Sequence, residues 1–236
     1  MKIAIVGKGN VGSHLFTSLQ EKCDCCLIDS HRPEETPADA DIIIICVKDD
    51  AIEEVASRLS ATNAVIAHTS GSVDMDTLKG KGENYGVFYP LQTFTKGVSL
   101  NYREIPVFIE GNSETSLEKL KELATLFSDD VRKADSATRR KLHLASVFAG
   151  NFTNALACVA VRLLEETDID FSALKPLMRQ TVAKLDSLTP SEAQTGPAQR
   201  GDFRVIQSHL NMLEKYPELQ EIYRNFSHII TLNKGK

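Results

Sequence analysis

Residues 2–12 read KIAIVGKGNVG, and the fold follows from what this stretch can do. Ile3 to Val6 form a short apolar run that stops at a glycine, after which Val11, Leu15 and Leu19 recur at helical spacing. The pattern is strand, glycine turn, helix. Gly7, Gly9 and Gly12 stand in G-x-G-x-x-G spacing. The first permits a tight turn, the second lets backbone approach a diphosphate, and the third lets helix and strand pack closely. Asn10 and Val11 open the helix, whose first N–H groups have no carbonyl partner within it. Asp29 closes the second strand at roughly the ~20-residue distance where a carboxylate reaches a ribose hydroxyl. Such a unit is built to receive a dinucleotide.

Outward from this point the strand and helix signals alternate. A second strand is expected over about 23–28, and Ile42–Cys46 is a continuous apolar run of the kind found when both faces of a parallel strand are covered. Between them, SHRPEETPADAD carries Pro33 and Pro37, which predicts an abbreviated crossover in place of a full helix. A helix starting near Asp49 or Asp50 places Ile52, Val55, Ala56 and Leu59 on one face. Strands follow at 64–68, 86–89 and 107–110, then an amphipathic helix over about 114–127. Residues 1–134 read as an α/β domain with a Rossmann-like, mostly parallel sheet. Residues 135–236 show only helical periodicity, with segments over about 137–166, 170–187, 202–214 and 217–230, and read as an all-α domain. The first of these is too long and apolar for ~100 residues to cover, which predicts a homodimer through the C-terminal helices.

Composition excludes several classes. The 236 residues carry a net charge of -5, with Lys and Arg scattered, so no nucleic-acid footprint is expected. No apolar run approaches the ~18 residues that span a bilayer, and the start lacks a signal-peptide pattern. A cytoplasmic protein with no membrane partner is expected. The five cysteines fit a reducing compartment. Alternation along the second strand sends Cys23 and Cys25 to one face and Cys26 to the other, so the C-x-x-C spacing reads as packing. The histidines are dispersed and no metal site is expected. The nucleophile elbow G-x-S-x-G is absent.

Five further motifs are VKDDAI at 47–52, HTSGS at 68–72, YPLQTF at 89–94, HLASVFAGNF at 143–152 and TGPAQRGD at 195–202. Together, in this order, they resemble an uncharacterised family of predicted oxidoreductases that joins a Rossmann-like domain to a helical domain of unknown function. That family is similar in plan to the 6-phosphogluconate dehydrogenase, 3-hydroxyisobutyrate dehydrogenase and pyrroline-5-carboxylate reductase superfamily. The resemblance implies NADP or NAD as cofactor, hydride transfer, and a helical domain that closes over the nicotinamide. It does not carry the substrate with it. Family members commonly read H-P-L-Q-T-F where this chain has Tyr89.

The expected cofactor contacts are Gly7, Gly9, Asn10, Val11, Gly12, Asp29, Ser30, Arg32, Val47 and Thr69. Asp29 favours NAD, whereas Ser30, His31 and Arg32 offer a pocket for the extra phosphate of NADP. Hydride transfer also needs a proton donor at the acceptor atom. His143 is the favoured donor, with Ser70 and Asn151 beside it, and Lys141 projects about 160° away from His143 on the helix. On a uniform helix Gly150 and Asn154 share the His143 direction, with Asn151 about 80° off, and Gly150 marks a place of close approach. Tyr89, Gln92, Asn154 and Arg200 are the expected substrate contacts, Arg200 as a clamp for a carboxylate or phosphate. Two functions remain open: an NAD(P)-dependent oxidoreductase acting on a small carbonyl or imine, and a noncatalytic NAD(P)-binding sensor or adaptor.

Overall fold

A run of four isoleucines lies comfortably in a sheet only when both faces of the strand are covered, and Ile42–Ile45 is such a strand, fully buried. Ile42 and Ile44 pack with Leu15, Leu19, Leu120 and Phe127, while Ile43 and Ile45 pack with Ile52, Val55 and Leu78. Each such side chain contributes about 1.5–3 kcal/mol on burial, which seats this strand in the interior of the sheet. The structure, a computed structural model, describes residues 1–60 and 62–233. Its elements begin β1 (Lys2–Val6), α1 (Asn10–Leu19), β2 (Asp24–Ile28), β3 (Ile42–Ile45), α2 (Ile52–Ser57), β4 (Val65–His68), β5 (Tyr85–Pro90), β6 (Val107–Gly111), α3 (Glu114–Phe127) and β7 (Val131–Lys133).

These strands form one sheet in the order β2-β1-β3-β4-β5-β6-β7. All pairs are parallel except β5 with β6. Residues of α1 and α3 cover one face and residues of α2 the other. Only a single 3-10 turn, Pro33–Glu35, stands between β2 and β3, as the two prolines predict. Cys23 and Cys25 pack on one face and Cys26 on the other, and all five cysteines are free. The sequence reading missed β7, whose three residues, VRK, carry too little pattern to be seen.

After β7 the chain is helical: α4 (Ser136–Ser146), a π-helical segment (Val147–Phe152), α5 (Thr153–Leu164), α6 (Lys175–Ala183), α7 (Pro190–Ala193), α8 (Pro197–Arg200), α9 (Phe203–Met212) and α10 (Pro217–Leu232). The chain forms two compact units, Met1–Phe152 and Thr153–Lys236. Ser136–Leu164 is one 29-residue helix, and its most apolar 18-residue stretch has a mean hydropathy of 1.6, enough by length and composition to cross a membrane. The sequence reading found no such run because Gly150, Asn151, Thr153 and Asn154 interrupt its apolar letters. In the second unit Asp202 caps α9, accepting from the Val205 N–H at 3.3 Å. Among the described residues its buried side chains are few, Ala198, Leu210, Leu213 and Leu219, while Phe203, Met212, Leu177 and Val182 are 61 to 79 % exposed.

The first turn of α4 is fastened to the sheet by Arg139, which is 1 % exposed. Its guanidinium donates to the Ser70 carbonyl at 3.1 Å, the Val73 carbonyl, the Ser136 hydroxyl and the Glu110 carboxylate. Glu110, on β6, also accepts from the Ser136 N–H at 2.9 Å and the Ser136 hydroxyl at 2.8 Å. Removing one member of a buried ion pair strands the other charge and typically costs about 3–5 kcal/mol. Arg139→Ala should therefore lower the unfolding free energy by about that amount in chemical denaturation at neutral pH, well beyond a surface arginine such as Arg132→Ala.

Candidate active site

At the end of β1 the three glycines do different work. Gly7 has a φ of 120°, and a Cβ there would lie 2.3 Å from the Cys46 carbonyl oxygen. At Gly12 a Cβ would lie 1.9 Å from the Gly7 oxygen, so the helix can approach the strand only with hydrogen at that position. Gly9 is the opposite case, since a Cβ there would meet nothing within 4 Å. It opens onto space. Gly9 is also the N-cap of α1, where no side chain caps the helix and no acid occupies the first turn. The first amides of α1 are therefore left for an anion, in the favourable end of the helix dipole.

The space is a cavity of about 750 Å³, lined by Gly7, Gly9, Asn10, Val11, Ser30, Val47 and Thr69 among the expected contacts. Gly12 lies beneath the loop, where it sets packing. The Asn10 side-chain oxygen accepts from the Lys96 N–H at 3.2 Å. His14 also fastens that segment to α1, with its ring nitrogens 2.9 Å from the Tyr102 hydroxyl and 2.9 Å from the Thr95 oxygen. Asp29 accepts from the His31 N–H at 3.0 Å and lies 3.5 Å from Lys8, and these donors hold its carboxyl below the usual range. Arg32 pairs with Glu35 at 3.3 Å and does not line the cavity. Lys8, Lys48 and Arg58 do.

Val11 and Thr69 also line a second cavity of about 760 Å³, beyond the end of β5. There the Tyr89 hydroxyl lies 3.0 Å from His143 Nδ1. Burial raises the Tyr89 phenol, which keeps its proton. Gly71 explains how the two rings meet: a Cβ at 71 would lie 2.6 Å from His143 Nδ1 and 2.7 Å from Tyr89 Cζ. The crowding is at Gly71 and not at Gly150, where a Cβ would make only an ordinary 3.6 Å contact with Thr93. Gln92, Ser146, Gly150 and Asn151 line the same cavity. The π-helical turn departs from uniform helical spacing, and Asn151 joins His143 and Gly150 along this wall, where a uniform helix puts it about 80° aside.

The Ser70 hydroxyl accepts from the Ser72 and Val73 N–H groups at 3.1 and 3.0 Å, which makes it the organiser of its own turn. Asn154 and Arg200 belong to the second unit, on α5 and α8. Among the described residues no cluster of His, Cys, Asp or Glu could hold a metal ion.

Residues 105–230 match a family described as a domain of unknown function, DUF2520. The chain belongs to the DUF2520 family. A crystal structure from Bacteroides fragilis, described as a "putative NADP oxidoreductase", is 33 % identical with a TM-score of 0.89, over 98 % of this chain and 97 % of that one. A protein from Thermotoga maritima shares the fold at 21 % identity and a TM-score of 0.76, over 98 % and 97 % of the two chains. A reductive aminase from Aspergillus terreus, solved with NADPH and ethyl levulinate, shares it at 13 % identity and a TM-score of 0.71, over 97 % and 92 %. No curated protein matches the sequence.

In this DUF2520 chain the sequence reading missed Arg58. The signal was present: Ala51, Val55 and Arg58 continue a helical stripe from the Val47 end of the cavity. His68, at the end of β4, is fully buried, and its Nδ1 accepts from the Ser70 N–H at 3.2 Å. Burial, helped by the charge of Arg139, pushes His68 down to about 4 from an ordinary 6.5. The unfolded ring takes its proton first, so stability is complete above pH ~6.5 and is lost as pH falls toward ~4, by about 3 kcal/mol in all. Denaturation midpoints measured across that range should fall accordingly, and a His68→Gln variant should lack this part of the decline.

Proposed function

We propose that this chain is an NAD(P)-dependent oxidoreductase, working with NADP(H), that moves a hydride between the nicotinamide and a small carbonyl or imine. The observation that carries this reading is the pair of adjoining cavities sharing Val11 and Thr69: one has a helix N-terminus open to an anion, the other a tyrosine–histidine pair. The description of the Bacteroides fragilis relative, which names NADP, supports the cofactor. Gly7, Gly9 and the first amides of α1 hold the diphosphate, and Ser30, Val47 and Thr69 line the rest of the nucleotide path. A bound nicotinamide supplies or accepts the hydride.

The chain's own residues manage the proton. In this reading the Tyr89 hydroxyl, 3.0 Å from His143 Nδ1, is the donor of that bond: as the Nε2 proton passes to the carbonyl oxygen or imine nitrogen, the Tyr89 proton moves onto Nδ1 and Tyr89 is reprotonated from solvent. Gln92 and Asn151 offer amides that orient the substrate, and Ser70 shapes the turn that brings Gly71 against the two rings. Asn154 and Arg200 are further substrate contacts in this reading.

A panel of small aldehydes, keto acids and cyclic imines should reveal loss of NADPH absorbance with at least one class. His143→Ala should lower kcat by about 10²–10⁴-fold at unchanged NADPH affinity, and Tyr89→Phe by about tenfold. Tight NADPH binding without turnover of any panel member identifies the sensor or adaptor reading instead.

The exposed Leu177, Val182 and Met212 of the second unit belong, in this reading, to the interface of a cytoplasmic homodimer. Sedimentation equilibrium without detergent should return twice the chain mass. Leu177→Glu with Val182→Glu should shift it to one chain mass; a wild-type protein that needs detergent to stay dispersed speaks for lipid as the cover.

A further inference from the structure

We infer that Arg58, at the C-terminal cap of the helix after β3, receives the 2′-phosphate of NADP(H), so that cofactor choice is exercised from the end of α2 and not by the arginine that follows β2. The inference rests on the cofactor reading above. In sheets of this kind the ribose of the adenosine half lies where the chain leaves the second strand, here the turn Asp29–Arg32. That turn supplies Ser30 and His31 to the wall of the 750 Å³ cavity, but its arginine, Arg32, is drawn to Glu35 and lies outside the wall. The arginine of the wall is Arg58.

Arg58 reaches back over 27 positions to the turn, where its Nη2 donates to the His31 carbonyl at 2.7 Å and to the Glu34 carboxylate at 3.1 Å. Both bonds use one terminal nitrogen. Nη1 and Nε keep their own N–H groups, and since either two-bond edge of the guanidinium includes Nη2, a phosphate gripped through two parallel bonds takes the place of Glu34 there. The backbone bond fixes the guanidinium beside Ser30 and His31, whose hydroxyl and imidazole complete a polar collar. Glu34 is a stand-in anion, and a phosphate competes with it for the same guanidinium. Asp29, the group that would repel a 2′-phosphate, is folded onto the His31 N–H and toward Lys8.

The chain has no tryptophan, so the fluorescence of bound NADPH and NADH reports binding to the full-length protein directly. Dissociation constants for both cofactors are measured in wild type, Arg58→Ala, Arg32→Ala and Glu34→Gln. The wild type should prefer NADPH. Arg58→Ala should weaken NADPH by about 10- to 100-fold, the range for a lost charge-assisted bond, and leave NADH within about twofold. Arg32→Ala should change neither. Glu34→Gln should tighten NADPH about two- to fivefold, the strength of an exposed ion pair, without moving NADH. Equal losses for both cofactors in Arg58→Ala, an unchanged NADPH constant, or a selective loss in Arg32→Ala overturns the inference. A wild type that prefers NADH overturns it and leaves the oxidoreductase reading standing. A wild type that binds neither nucleotide overturns both.

Discussion

A guanidinium shut away from water holds the candidate active site together. Arg139 bonds to two carbonyls of the loop after β4, to a carboxylate on β6 and to the hydroxyl that starts α4. These are directional bonds among segments remote in sequence, and an apolar contact in their place would tolerate sliding. His143 stands one helical turn beyond Arg139, so fixing that turn fixes where the imidazole emerges. The same loop carries Gly71, whose missing side chain leaves the space that Tyr89 and His143 share. The loop, the strand end and the helix are thereby set against one another before any ligand arrives, as proton transfer requires of a donor.

The sheet contributes direction. Because β1, β3, β4 and β5 run parallel, their ends present Gly7, Val47, Thr69 and Leu91 at one edge, where two cavities adjoin. The strand order reverses about β1, with β2 on one side and β3 on the other, and a crevice forms at such a reversal. The antiparallel β6 then carries Glu110 to the place where it meets Arg139. A π-helical turn in the middle of the long helix adds Asn151 to the cavity wall that carries His143. Such wide turns cost helical regularity and often accompany functional sites.

Much of this was legible in the order of residues alone. The glycine spacing of Gly7, Gly9 and Gly12, the isoleucine run of β3, the abbreviated crossover at Pro33 and the bounds of α3 could all be read locally, because each rests on backbone freedom or on a periodicity within one segment. Tyr89 was legible as a candidate by its place at a strand end, and it lines the second cavity. Its partnership with His143 was not, and nor was the crowding at Gly71, since the three meet only through the fold.

The amino-acid order by itself determined the class of the protein, a parallel α/β unit with an anion-ready glycine turn followed by helices. Only the tertiary structure decided which side chains share a site: Tyr89 with His143, 54 positions apart, and Arg58, not Arg32, on the wall of the nucleotide cavity. Helix and strand signals are written in neighbours a few residues apart. Contacts across a sheet edge are set by crossover lengths and strand order, and no local pattern records them.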